Sequence, residues 1–410
     1  MLYDSYEFQR SMMSGASAMA SFGADILSHP ANPFSYLGGG TVVASALEVF
    51  AHANASRGKP EFGLHHTIVD GREVAVREEI VLRRPFGQLK RFVREGVTGG
   101  PKLLIVAPMS GHYATLLRGT VERMLPSADV YVTDWRDARS VPLGDGRFDL
   151  DDYIDYLIAF LETMGENAGE GGTHMLAVCQ PSVPCYAAVA LMSADGNPCR
   201  PKTLTLMGGP VDTREAPTAV NTLATERPHT WFEQNVIATV PANYPGAGRK
   251  VYPGFLQLAG FMSMNLGNHM VSHWEMYKHL VQGDGESAMA SKGFYEEYRS
   301  VCDMTAEFYL QTIDVVFQSH ALPRGLLTHR GRPVDPAAIT DIGLLAIEGE
   351  RDDISGLGQT KAALSLATAL PEAKKRYLIA EGAGHYGIFN GSRWRNTIAP
   401  VVEEFITANG

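Results

Sequence analysis

Residues 174–192 read HMLAVCQPSVPCYAAVALM. An apolar run ends on Cys179, breaks at Gln180-Pro181 and resumes as an alanine-rich stretch with helical spacing. A strand that stops on a reactive side chain and turns straight into a helix is the layout of a nucleophile elbow. The usual elbow frame is G-x-S-x-G, whereas here it is Ala177-Val178-Cys179-Gln180-Pro181. Cys179 is therefore either a nucleophile or a buried cysteine that closes a strand, and the flanking sequence has to decide.

On both sides of this stretch the chain alternates between two periodicities. KLLIVAP (102–108), DVYVTDW (129–135) and TLTLMGGP (203–210) are short apolar runs suited to parallel strands covered on both faces. ATLLRGTVERML (114–125) has helical spacing, and DLDDYIDYLIAFLETMG (149–165) puts Ile154, Leu157, Ile158 and Leu161 on one helical face. Upstream, residues 65–82 read as two strands about the turn Asp70-Gly71. Arg83, Arg84, Lys90, Arg91 and Arg94, with Phe86 and Phe92 between them, read as a solvated surface stretch. The alternation stops near Pro210 and resumes at IGLLAIEGE (342–350) and KRYLIAEGAGH (375–385). Between these points lie Trp231, Phe232, Tyr252, Phe255, Trp274 and a methionine run, followed by a strong helix over 303–318. This composition suits a cap inserted over the carboxyl ends of the strands.

The spacing predicts an α/β fold with a mostly parallel central sheet, helices on both faces and an inserted, largely helical cap. The expected division is an N-terminal helical segment (1–60), a first core part (61–210), the cap (211–335) and a second core part (336–410). Within the first segment, Met12–Leu27 is rich in Ala, Ser, Met and Phe. It reads first as a helix packed on its own domain, with contact to a greasy surface as the alternative.

The formal charge of −10 argues against general nucleic-acid binding, which needs clustered cations. Cys179, Cys185, Cys199 and Cys302 show neither a C-x-x-C pair nor metal-ligand spacing, and read as reduced thiols. No cofactor or metal is expected. No apolar run approaches bilayer length, and the first residues lack a secretory layout, so the expected location is the cytoplasm. Oligomeric state is not legible, a homodimer being one option.

Ligands of an open parallel sheet sit outside the carboxyl ends of its strands. Three residues suited to acyl transfer fall at three such ends in chain order: Cys179, then Asp352 after LLAIEGER, then His385 after LIAEGAG. Nucleophile, acid, histidine is the α/β-hydrolase order. A thiol at a helix N-terminus beside an imidazole ionises readily. His385 would take its proton and later activate water. Asp352 would hold the imidazole tautomer, with Asp353 as the rival acid. Ser110 and Ser182 are rival nucleophiles, but neither ends a strand at an elbow. Oxyanion donors are expected from Gln180 N–H and from Met109 or Ser110 in the loop VAPMSGHYATLL, where Gly111 permits a tight turn.

LAVCQPSVP, VAPMSGHYATLLRGT, VYVTDWRDAR, EGERDDIS and EGAGHYGIFNG together resemble the intracellular polyhydroxyalkanoate (polyhydroxybutyrate) depolymerases of granule-storing bacteria. The resemblance runs from about residue 60 to the C-terminus. It implies a cytoplasmic esterase that acts on amorphous storage granules and releases 3-hydroxybutyrate or its oligomers. Cys179 matches the family nucleophile, Asp352 the acid and His385 the base. The expected partners are the granule surface and the polyester chain, with Gly111, Trp135 and Trp274 as candidate substrate contacts. Thiolysis by coenzyme A, or a non-catalytic granule-surface protein, are the alternatives.

Overall fold

Runs of Val, Ile and Leu bounded by Gly, Pro and Asp build a nine-stranded sheet, because strands apolar on both faces are stable only between two helical layers. The computed structural model describes residues 2–29, 38–54, 58–165, 171–264, 297 and 300–410. Its main strands are β1 (His66–Val69), β2 (Arg72–Arg84), β3 (Gly87–Arg94), β4 (Lys102–Val106), β5 (Asp129–Trp135), β6 (Thr173–Val178), β7 (Thr203–Met207), β8 (Gly343–Gly349) and β9 (Lys375–Ala380). They lie in the order β1-β2-β3-β5-β4-β6-β7-β8-β9. β1, β2 and β3 pair antiparallel, as does β3 with β5. From β5 to β9 every pairing is parallel. This is the α/β-hydrolase arrangement. The chain steps from β4 to β5 on one side and to β6 on the other, so a crevice opens at the carboxyl ends of β4 and β6.

The helices are α1 (Leu2–Ser28), α2 (Gly38–Asn54), α3 (Arg118–Met124), α4 (Leu150–Gly165), α5 (Ser182–Ala194), α6 (Ala219–Glu226), α7 (His229–Asn235), α8 (Gly254–Met264), α9 (Ala306–Thr312) and α10 (Ala399–Asn409). α4 buries Ile154, Leu157 and Leu161 as its periodicity predicts, while Ile158 is half-buried. α5 is buried on every side from Ser182 to Met192, which marks it as the central helix behind the elbow. Between β7 and β8, α6 to α9 stand with a small sheet of Ala238–Thr239, Lys250–Tyr252 and Met304–Thr305. The predicted helix over 303–318 starts as α9 and widens into a π-turn over Ile313–Gln318. Among the described residues no helix is long and apolar enough to cross a membrane. Nor does any group of three or more His, Cys, Asp or Glu among them converge as a metal site.

Asp70 (φ 50°) and Gly71 (φ 76°) both sit at positive φ, as a two-residue hairpin turn requires. The basic stretch after this hairpin is not a solvated surface. It forms β3, an internal strand, and only Arg83 and Arg84 of the earlier β2 end stay exposed. Lys90 and Arg94 are buried: Lys90 Nζ bonds Glu78 at 2.6 Å and Arg94 donates to Leu125 O at 3.1 Å. Arg91 Nε bonds Asp129 at 3.0 Å. The acids and carbonyls that neutralise these cations come from other elements.

Trp135 also departs from expectation. It is not a cleft residue: it is 1% exposed, packs on Phe148 and Tyr153, and donates from Nε1 to Ala107 O at 2.8 Å. It ends β5 pointing into the helical layer. Trp135→Ala is expected to lower unfolding free energy by about 3–5 kcal/mol, since a large buried ring leaves a cavity that the neighbours cannot close. Urea denaturation checks this, and a loss under ~1 kcal/mol would count against the packing role. Trp274 lies outside the described residues.

Candidate active site

β6 delivers Cys179 at φ +65°, a left-handed conformation that a side chain adopts only when its surroundings impose it. Hydrogen bonds of its backbone hold it there, including one from Ser182 N–H to its carbonyl at 3.1 Å. Its N–H donates to Met207 O at 2.7 Å, and its carbonyl accepts from Ser182 Oγ at 2.9 Å. Pro181 takes the capping position before α5 with helical angles, so its missing N–H costs nothing. Absent glycines at 177 and 181 are offset from across the crevice. Gly208 and Gly209 follow β7, and a Cβ on Gly209 would run into Ser182 Oγ and stand 2.9 Å from Cys179 O. The room that the usual elbow obtains from its own glycines comes here from the neighbouring strand end. The MGGP motif after β7 carries that signal in the sequence.

His385 opens a short 3₁₀ turn after β9 and is buried. Its Nδ1 lies 2.8 Å from Asp352 Oδ2. A carboxylate only accepts, so Nδ1 carries the hydrogen and Nε2 is the ring nitrogen left for Cys179. Asp352 Oδ1 accepts from Ile354 N–H at 2.9 Å and Ser355 N–H at 2.8 Å, so both its oxygens are engaged and its side chain has no exposure. Asp353 is exposed, and of the two acids it is Asp352 that meets the histidine. Burial disfavours the charged His385 ring. Electrostatic attraction and hydrogen bonds to Cys179 and Asp352 outweigh burial, and its pKa lies well above the ordinary histidine value. A Cβ on Gly208 would stand 3.2 Å from Asp352 Oδ2 and 3.3 Å from His385 Cε1, so the same glycine pair also admits the ring.

The loop after β4 faces the elbow. Met109 N–H donates to Gln180 Oε1 at 3.2 Å, across the space where a substrate carbonyl oxygen would approach. Met109, Ser110, Cys179 and Gln180 all line one cavity. Gly111 (φ +85°) does not line it. Its carbonyl accepts from Cys302 N–H at 2.8 Å, and a Cβ there would stand 3.0 Å from Gln257 Oε1, so it shapes the loop against the cap. The cavity has a volume of about 400 Å³, within the usual range of small-molecule sites. Leu223, Phe232, Tyr252, Phe308, Tyr309 and Ile313 form much of its wall. Sequence reasoning assigned none of these six to the site. Those on α6, α7 and α9 are also residues of the kind that fill an ordinary helix core, Tyr252 ends a strand of the small sheet, Ile313 opens the π-turn, and only tertiary packing separates wall from core.

Residues 208–410 match the family model described as PHB de-polymerase C-terminus. This span, just under half of the chain, is similar to the PHB depolymerase family. The matched residues include Gly208-Gly209, Asp352 and His385. Cys179 precedes them. Solved structures that resemble the chain include a meta-cleavage product hydrolase from Pseudomonas fluorescens, with 14% identity over 84% of this chain and 98% of that one at a TM-score of 0.43. A thermophilic esterase from Thermogutta terrifontis has 15% identity over 85% of this chain and 98% of that one at a TM-score of 0.41. A search of the curated proteins returns no match.

Proposed function

We propose that this protein hydrolyses ester bonds of amorphous polyhydroxybutyrate through Cys179, His385 and Asp352. The observation that carries the proposal is the chain of contacts behind one apolar cavity: Cys179 lies in the cavity wall, His385 is hydrogen-bonded to it, and Asp352 is bonded to His385 at 2.8 Å. Cys179 Sγ attacks the ester carbonyl carbon while His385 Nε2 takes the thiol proton. The resulting oxyanion is held by the Gln180 and Met109 N–H groups, for which the Gln180 side chain must leave its bond to Met109. Collapse breaks the ester C–O bond, and His385 returns the proton to the departing hydroxyl end. A water deprotonated by His385 then attacks the thioester, releasing a carboxylic acid and restoring the thiol.

The cavity wall suits a polyester. Each repeat carries one ester and otherwise methyl and methylene groups, which match Leu223, Phe308 and Ile313 and ask for few polar partners. Storage granules in the cytoplasm are the proposed setting. Product analysis on amorphous poly(3-hydroxybutyrate) particles, with and without coenzyme A, tests the reading. Free 3-hydroxybutyrate or its oligomers are expected without coenzyme A. Product that forms only with coenzyme A would make the acceptor a thiol and end the hydrolase reading.

A further inference from the structure

The helices α1 and α2 pack in an arrangement inverted for a hairpin in water. Their contact is made by small residues: Ser17, Ala20 and Ala24 of α1 and Ala44, Ser45 and Ala51 of α2 are buried, and Ser17 Oγ donates to Ala51 O at 2.7 Å. The large apolar side chains point the other way. Phe8 (69% exposed), Met12, Met19 (77%), Phe22 (68%) and Ile26 recur at helical spacing along the opposite face of α1, and Val42, Val43 and Phe50 of α2 are exposed as well. A surface helix in water ordinarily buries such a stripe. Small residues between helices and large apolar ones outward is the pattern of helix pairs in apolar surroundings.

The charge distribution narrows what those surroundings are. α1 and α2 contain one Arg and no Lys, against Asp4, Glu7, Asp25 and Glu48. The single cation, Arg10, is paired with Glu7 at 3.1 Å. Helices that lie on lipid headgroups usually carry Lys and Arg on their polar face, and anionic lipid would repel this one. An uncharged surface of esters and methyl groups makes no such demand. The start of α1 is also tied to the cap over the cavity. Tyr3 Oη donates to Asp303 Oδ2 at 2.6 Å, and Asp303 Oδ1 accepts from the first N–H of α8, that of Gly254, at 3.0 Å. Tyr6 stacks on Phe255 of α8 at 3.8 Å between ring centroids, and Gln257 of the same helix lines the cavity.

We infer that the exposed stripe of α1, with Val42, Val43 and Phe50 of α2, docks the protein on the surface of the amorphous polyester and holds the cap against it. The inference rests on the polyester reading above, and it adds a binding face separate from the catalytic cavity. Its test is co-sedimentation of the full chain with amorphous poly(3-hydroxybutyrate) particles. The Cys179→Ala background keeps the particles intact. Phe8→Ser, Met19→Ser and Phe22→Ser together are expected to weaken particle binding by about tenfold or more, because three large side chains no longer leave water. With Cys179 intact, the same triple variant should hydrolyse a soluble short-chain ester at the parental rate. Binding that stays within about twofold of the parent would overturn the inference. So would loss of soluble-ester hydrolysis in the triple variant, parental binding to neutral phosphatidylcholine vesicles as tight as to polyester, or conversion of a dimer to a monomer with polyester binding untouched. Failure of the polyester reading itself shows instead in the products released, not in binding.

Discussion

Cys179→Ala is expected to lower ester hydrolysis by a factor on the order of 10⁵ or more, the loss typical when a nucleophile working with a base is removed. No neighbour is placed to replace it. Ser182 Oγ is committed to Cys179 O at 2.9 Å and Ser182 is buried at the start of α5. Cys185 is fully buried, and burial pushes its thiol pKa well up, away from the reactive thiolate. Ser110 lines the cavity but stands in the loop after β4, outside the elbow. Folding should be unaffected, because a methyl group tolerates the elbow as well as a thiol does. The measurement is the initial rate on a soluble ester and on amorphous polyester, with thermal unfolding as control. A residual rate above about 1% in a folded variant would remove Cys179 from the mechanism.

The second large effect is expected at Asp352. Asp352→Asn should reduce kcat by about 10³- to 10⁴-fold with little change in KM. The geometry explains why so small a change costs so much. Ile354 N–H and Ser355 N–H require an acceptor at the Oδ1 position, at 2.9 and 2.8 Å. The carboxamide oxygen must therefore stay there, which turns its NH₂ group toward His385 Nδ1. The imidazole then places its hydrogen on Nε2 and cannot take the thiol proton. The charge of Asp352 is also among the contributions that raise the His385 pKa against burial. Without it that pKa falls, and the His385 limb of the pH–rate profile moves to lower pH. Asp353→Asn serves as the comparison and should leave kcat within about twofold. Equal losses at both acids would refute the assignment.

Much of this candidate site's geometry was legible because strands covered on both faces advertise themselves as unbroken apolar runs. Once β6, β8 and β9 are recognised, their carboxyl ends are known, and Cys179, Asp352 and His385 are the reactive residues just past them. Trp135 obeyed the same logic and misled. A side chain at a strand end points into the crevice or into the helical layer according to the pleat, and here α4, with Tyr153, receives the ring. The basic stretch over 83–94 misled for a related reason. Its neutralising partners Glu78 and Asp129 lie on different strands, and strand register alone brings them within bonding distance.

The amino-acid sequence by itself determined the order of strands and helices in the main sheet apart from β3, the strand-to-helix turn at Cys179 and the chain order of Cys179, Asp352 and His385. Each of these follows from periodicity and turn chemistry acting over a few neighbouring residues. Tertiary structure alone decided that Gly208 and Gly209 open the space that Ala177 and Pro181 do not, that Asp352 and not Asp353 meets His385, and that α6, α7 and α9 turn apolar faces to a cavity. It also decided that α1 keeps small residues inside and large ones outside. These outcomes depend on contacts between elements far apart in the chain, where close packing selects one arrangement among several that local sequence allows equally well.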